Sequence, residues 1–314
     1  MIKILIISTN ALGDTYLSSA AIEPIRRFYN PCEIHFVTLE NAKFFLGHLA
    51  IDKVFYLKSK DIVPILKIMI EIKKINYNYV FSFFPGVINS LIYLYAKSQK
   101  KAGFINLVRK KQWYNNNNKA IFKDKINKQF IWKPEMNYLS RISKILQLTG
   151  IDSSEIVKPI FPQKNKDHSI IDKNMLTIHF KARDKNRSLT DLDILKICER
   201  ILQKHNVKIC LLGVEKDFSI TLKEECNKKN ICFMIEPLFP DLLDIIINSK
   251  LYIGVDSFPL HLADAYNINY LGIFGPTLPN AVLTNFKKSV IFDYGEYLNP
   301  NFPLLLEKVE EVLN

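Results

Sequence analysis

Lys3-Ile4-Leu5-Ile6-Ile7-Ser8, running on through Thr9-Asn10-Ala11-Leu12-Gly13-Asp14-Thr15, is the stretch from which the fold can be read. The first six residues are nearly all apolar and too few for a helix. Such a run suits a strand buried on both faces, as in a parallel sheet. Gly13 permits a tight turn. A helical pattern of apolar positions follows from about Thr15 to Tyr29. Working outward, strand-like runs recur at Glu33–Leu39, Val54–Leu57 and Tyr79–Phe84, with a helix near Asp61–Ile75. This alternation predicts a parallel sheet with helices on both faces. Ile88–Tyr95 reads as a buried helix, with a membrane-facing helix as the alternative.

The second half repeats the pattern. Strands are expected at Leu176–Lys181, Lys208–Gly213, Ile231–Ile235, Leu251–Val255 and Tyr270–Phe274, with helices between them and a last helix at about Leu304–Leu313. The fold expected is α/β, with two Rossmann-like domains at 1–155 and 156–314 and the last helix able to pack back on the first domain. In open α/β sheets ligands bind beyond the carboxyl ends of the strands. The loops after strands are therefore where chemistry is expected, in a cleft between the two sheets.

Composition sets the outer limits. The 314 residues are 48% hydrophobic and 24% charged, which excludes global disorder. The five cysteines form no C-x-x-C pair, so neither a disulfide framework nor a zinc site is expected, and a reducing compartment fits best. The N-terminal apolar run is too short for a signal peptide, and no stretch of ~18 apolar residues occurs. A cytoplasmic protein is expected. The net charge is +12, of which residues 97–133 carry +10, with eleven Lys/Arg and the single acid Asp124. A basic segment this concentrated points to a polyanionic partner. Few aromatics interleave it and no recognised module surrounds it, so nucleic acid is not expected. Residues 97–133 otherwise read as a long loop, followed by a helix at about Pro134–Leu148.

Several post-strand loops carry candidate residues. Asp14 stands near the start of the first helix, where it is a candidate for chemistry or an N-cap. Lys181, Arg183, Lys185 and Arg187 put four cations into seven residues, a grouping that could clamp a diphosphate. Asp217 follows the strand ending at Gly213, where carboxylates often hold ribose hydroxyls. Thr190-Asp191-Leu192-Asp193 contains a D-x-D, but its spacing reads as a helix start rather than a metal site. The densest group is Asp256-Ser257-Phe258-Pro259-Leu260-His261-Leu262-Ala263. There Ser257 can cap the next helix, Pro259 suits its first turn, and the N–H groups make an anion site. Phe274-Gly275-Pro276-Thr277 adds a second turn after the following strand.

Three stretches together resemble glycosyltransferase family 9, the ADP-heptose:lipopolysaccharide heptosyltransferases. They are Ile4–Ile7 through Leu12-Gly13-Asp14 with Ala20-Ala21-Ile22 and Arg26-Arg27, then Asp256–Ala263, which is similar to D-[ST]-G-P-x-H-x-A, and Leu271 to Phe274-Gly275-Pro276-Thr277, similar to F-G-P-T. The resemblance implies a GT-B fold, with the acceptor in the first domain and the nucleotide sugar in the second. It implies inverting heptosyl transfer from ADP-heptose to a lipopolysaccharide or lipooligosaccharide core, with no metal or other cofactor. Asp14 matches the catalytic base. Asp256, Ser257 and His261 match positions around the donor diphosphate, Asp217 an acidic position at the ribose, and Arg187 the basic loop. Lys181, Arg183, Gly275 and Thr277 complete the expected donor site. The partners implied are a nucleotide sugar and an anionic glycolipid, with residues 97–133 resting on the cytoplasmic face of the inner membrane. The oligomeric state stays open. Phe258 stands where the family has Gly, and Asn186-Arg187-Ser188-Leu189 replaces a Lys/Arg-Trp-Pro run. These departures motivate two alternatives: the same fold with a hexose or N-acetylhexosamine donor, or a catalytically silent relative that binds polyanions.

Overall fold

A computed structural model describes residues 1–105, 136–162, 174–284, 298 and 301–313, with the short strands at 119–120, 130–131 and 290–292. The chain divides into two units, Met1–Phe161 and Pro162–Asn314.

In the first unit the elements run β1 (Ile2–Ser8), α1 (Leu12–Ser19), α2 (Ile22–Phe28), β2 (Cys32–Leu39), α3 (Lys43–Leu46), β3 (Lys53–Leu57), α4 (Ile62–Lys73), β4 (Tyr77–Ser82), α5 (Val87–Tyr95), β5 (Ser98–Gly103), the short antiparallel pair β6 (Lys119–Ala120) and β7 (Phe130–Ile131), and α6 (Tyr138–Leu148). The main sheet has the order β3-β2-β1-β4-β5 and is parallel throughout. β1 lies at its centre, which explains its all-apolar sequence: Ile4, Leu5, Ile6 and Ile7 are all fully buried. Leu5 and Ile7 face a core filled by Ile65, Ile68 and Ile72 of α4 and Ile92 and Tyr93 of α5.

The single helix expected at 15–29 is two helices. Pro24 sits in the first turn of α2 and has no N–H to offer the Ala20 carbonyl, so one helix cannot run through. The long loop expected from residue 97 begins instead as β5, an edge strand paired with β4 from Tyr77↔Ser98 to Ser82↔Gly103. Its sequence, Ser-Gln-Lys-Lys-Ala-Gly, has no apolar periodicity, and charged residues are common on exposed sheet edges. Most of the remaining basic segment lies outside the described residues.

The second unit contains β8 (Met175–His179), α7 (Asp191–Lys204), β9 (Lys208–Gly213), α8 (Ile220–Lys228), β10 (Cys232–Ile235), α9 (Phe239–Asn248), β11 (Leu251–Val255), α10 (Phe258–Ala265), β12 (Tyr270–Phe274), α11 (Pro279–Val282), β13 (Val290–Phe292) and α12 (Phe302–Leu313). Its six-stranded parallel sheet has the order β10-β9-β8-β11-β12-β13. Both sheets thus follow the doubly wound order, which reverses between the first and fourth strands and opens a crevice there. These switch points are β1/β4 and β8/β11.

The division falls six residues later than 155/156. Phe161 is buried, stacked on Tyr16 at 6.1 Å, and the Tyr16 hydroxyl donates to the Pro159 carbonyl at 2.7 Å. These contacts keep the connecting segment in the first unit. Leu305 and Val309 of α12 are buried in the second unit's own core against α7, and Lys204 pairs with Glu310. Among the described residues no helix is long and apolar enough to cross a membrane.

Candidate functional site

In the first unit the switch point is tied down by its own loops. Asn89, at the start of α5, accepts from the Thr9 amide at 2.8 Å and from the Thr9 hydroxyl at 2.6 Å, and donates to the Phe84 carbonyl at 3.0 Å. Asn10 donates to the Pro85 carbonyl at 3.0 Å. The loops after β1 and β4 are therefore stitched together, and the turn carrying Asp14 is held between them. Asp14 is not the N-cap of α1, a place taken by Ala11. It stands in the first helical turn, half-buried, and its carboxylate accepts from the Ala11 amide at 3.3 Å.

A residue the sequence did not single out lies nearby. Arg141 of α6 is only 1% exposed. Its guanidinium lies 4.4 Å from the centre of the Tyr138 ring, 5.7 Å from that of Phe104 and 6.0 Å from that of Phe84. Burial pulls Arg141 down to about 10, and Tyr138 and Asp14 oppose that pull. Asp14 therefore sits in the field of a buried cation. Nothing in the sequence around Arg141 marks it, because it reads as one polar position on an amphipathic helix.

In the second unit the loop after β8 is braced by its own bonds. The Ser188 hydroxyl accepts from the Ala182 amide at 2.9 Å, Asp184 accepts from the Asn186 amide at 3.1 Å, and the Asn186 carbonyl accepts from the Leu298 amide at 2.9 Å. The loop presents Arg187, which donates to Asp256 at 2.8 Å. Asp256 follows β11 and is 4% exposed. Burial pushes its carboxyl up, but Arg187, His261 and a hydrogen bond from Thr277 outweigh that and hold it below the usual carboxylate range. One buried carboxylate thus organises Arg187, His261 and Thr277, three of the expected site residues, from two different post-strand loops and one helix. A carboxylate facing a diphosphate would repel it. The arrangement suits Asp256 as an anchor for cations rather than as a direct phosphate ligand.

Ser257 is the N-cap of α10 by position, yet its hydroxyl caps nothing. It donates to the Val255 carbonyl at 3.1 Å and meets His179 Nδ1 at 3.0 Å. With the Ser257 hydrogen on the Val255 carbonyl, His179 Nδ1 is the donor in this contact. Burial keeps the imidazole neutral, pulling His179 down to about 4. Within the first turn of α10 Pro259 has no N–H and the Leu260 amide donates to the Ser257 carbonyl at 3.1 Å, so the turn is closed through the backbone rather than by the Ser257 hydroxyl. Phe258 is 6% exposed, so its ring does not stand open over this turn. His179 is the second residue the sequence did not single out.

The other expected residues differ in setting. Arg183 is exposed on the loop after β8. Lys181 is engaged structurally: its ammonium donates to the Leu189 carbonyl at 3.0 Å and to Asp191 at 3.2 Å. Asp217 is fixed by accepting from the Val214 amide at 3.0 Å. Gly275 is buried in the turn after β12. The D-x-D is the start of α7, with Thr190 accepting from the Asp193 amide at 3.1 Å and Asp193 accepting from the Thr190 amide at 2.9 Å.

Comparison with known proteins extends this picture. The family described as Glycosyltransferase family 9 (heptosyltransferase) matches residues 65–302. Lipopolysaccharide heptosyltransferase 1 of Campylobacter coli is 29% identical over 318 residues, covering 94% of this chain and 90% of that protein. Among solved structures, a family 9 glycosyl transferase of Veillonella parvula aligns with a TM-score of 0.72 at 12% identity, covering 99% of this chain and 97% of that one. The E. coli heptosyltransferase WaaC, solved with ADP, aligns with a TM-score of 0.66 at 14% identity, covering 99% of this chain and all of its own. At such identities these structures speak to the fold, which is of the GT-B type with two Rossmann-like units.

Proposed function

The chain belongs to glycosyltransferase family 9, the heptosyltransferase family, and from that premise we propose that this glycosyltransferase moves a heptosyl group from ADP-heptose to a lipopolysaccharide or lipooligosaccharide core. The observation that carries this reading is the Arg187–Asp256 pair beside the start of α10. A guanidinium fixed by a buried carboxylate, next to the positive end of a helix, suits a diphosphate.

In the proposed reaction the acceptor hydroxyl oxygen attacks the anomeric carbon from the face opposite the diphosphate. Its proton passes to the Asp14 carboxylate, the C–O bond to the diphosphate breaks, and the electron pair leaves with ADP. The configuration inverts. Arg187 and Arg183, with the α10 N-terminus, take up the charge of the leaving diphosphate in place of a metal. Asp256 and Thr277 hold Arg187 and His261 in place, and Asp217 receives the nucleotide ribose. Ser257 positions the neutral His179 at the donor, and Gly275 lets the chain turn beside it. The acceptor is an anionic glycolipid, and the basic segment 97–133 assists its capture at the cytoplasmic face of the inner membrane.

The test pairs two measurements. ADP, but not UDP, GDP or CMP, is expected to raise thermal stability. Asp14→Asn is expected to lose transfer by about 10²–10⁴-fold while keeping the ADP effect. Stabilisation by UDP or GDP instead would replace the donor. Absence of any nucleotide effect, or wild-type turnover in Asp14→Asn, would overturn the reading.

A further inference from the structure

Exposed apolar side chains are not scattered evenly over the molecule. Among the described residues fourteen large apolar side chains are exposed, and seven of them lie on α4 and α5: Ile62, Val63, Leu66, Ile70, Leu91, Leu94 and Tyr95. These two helices pack on each other and together cover one face of the first sheet. On α4 the exposed apolar positions span an arc of about 100° at 3.6 residues per turn. Ile65, Ile68 and Ile72 on the opposite side fill the core. The helix is thus apolar on two faces while only one is covered within the unit. Contiguous apolar surface of this kind marks an interaction site.

The charges around it are mostly positive. From residue 58 to 97, six exposed lysines (Lys58, Lys60, Lys67, Lys73, Lys74 and Lys97) stand against two exposed acids, Asp61 and Glu71. Lys73 lies within the apolar arc of α4, its ammonium 4.8 Å from the centre of the Tyr95 ring on α5. A protein–protein interface depletes its core of such charges. A bilayer surface accepts them, because the lysine stems lie along the apolar zone while the ammonium groups reach anionic headgroups.

We propose that the α4–α5 face is a membrane-docking surface that inserts its leucines, isoleucines and tyrosine into an anionic lipid leaflet. It deepens, and rests on, the reading of the chain as an enzyme acting on a lipid-anchored acceptor. Its position fits that task. α5 starts directly after Gly86, where an added Cβ would lie 2.6 Å from the Asn10 side chain in the loop leading to Asp14. From there α5 extends about 13 Å, at about 1.5 Å per residue. Docked through this face, the protein holds the Asp14 turn within one short helix of the lipid surface.

Flotation of the full chain with vesicles tests the proposal without any reference to activity. Binding is expected to vesicles of phosphatidylethanolamine and phosphatidylglycerol, and little to phosphatidylcholine alone. The combined variant Leu66→Ser/Ile70→Ser/Leu94→Ser is expected to lower partitioning by at least about ten-fold, since each side chain removes apolar area from the bilayer contact. Lys67→Gln/Lys73→Gln/Lys74→Gln is expected to weaken binding to the anionic vesicles and flatten its salt dependence. Both variants should keep the thermal stabilisation by ADP, which shows that they are folded and tests the functional reading separately. Failure of the wild type to float, or unchanged flotation of the serine variant, would overturn the proposal. A concentration-dependent dimer that the serine variant abolishes, without vesicle binding, would assign the face to a second copy instead.

Discussion

Ser257 shows how one hydroxyl can be recognised in a sequence and still have its role misread. A serine before Phe-Pro reads as a helix cap, but its single hydrogen goes to the Val255 carbonyl and its lone pair to His179. That choice is made by the neighbouring strand, since Gly254 pairs with His179 in register and so brings the imidazole alongside. His179 carries a testable pH dependence. An unfolded imidazole titrates near 6.5, whereas burial pulls this one down to about 4. Between those values the unfolded chain binds a proton that the folded chain refuses, so His179 supports folding fully above about pH 6.5 and that support is lost as pH falls towards 4. The melting temperature should therefore fall across this window, and less steeply in His179→Gln. His35 is also pulled down by burial and contributes in both proteins, so the difference between the two curves isolates His179. Equal slopes would remove His179 from this role. Asp256, held below the usual carboxylate range, gives up its contribution only at still lower pH.

At the scale of elements, the strands legible in advance were those with a run of apolar residues, which the central strands carry because they are buried on both faces. The edge strand β5 escaped because only pairing with β4 makes it a strand. Its end depends on Gly103, whose φ of +154° is unsuited to other residues and whose added Cβ would lie 2.3 Å from the Ser82 carbonyl oxygen. The next residue, Phe104, donates its amide to that same carbonyl at 2.9 Å and sets its ring under Arg141. Gly103→Ala should cost about 2–3 kcal/mol of stability through strain and steric overlap. Denaturant unfolding measures it directly, and a loss within ~0.5 kcal/mol, the range of neutral surface changes, would contradict the strain. The helix break before α2 has a comparable local cause in Pro24. It was readable in principle, but the apolar period across residues 15–29 masked it.

For the whole molecule, the expected donor residues Arg187, Asp217, Asp256, His261 and Thr277 all belong to the unit Pro162–Asn314, in the loops after β8, β9, β11 and β12 and in α10. ADP should accordingly slow amide exchange in those loops and leave the loop after β1 unchanged. Protection confined to the first unit would reverse the assignment of donor and acceptor. At ADP about 100 times its dissociation constant, stabilisation should reach about 2.7 kcal/mol, a rise of several degrees for a chain of this size. By itself the sequence determined the doubly wound class, the approximate strand ladder and the family, and it marked the loops in which the candidate residues lie. Those properties follow from local signals: apolar runs, Gly-containing turns and the residues just after strands. Only the tertiary structure decided that Asp256 grips Arg187, that Lys181 is engaged with Leu189 and Asp191, that Arg141 lies buried near Asp14, and that α12 closes the second unit. Each of these joins residues from separate elements, such as the 69 positions between Arg187 and Asp256. A one-dimensional pattern holds no signal for such a pair, because sheet order and helix packing bring the partners together only when the chain folds.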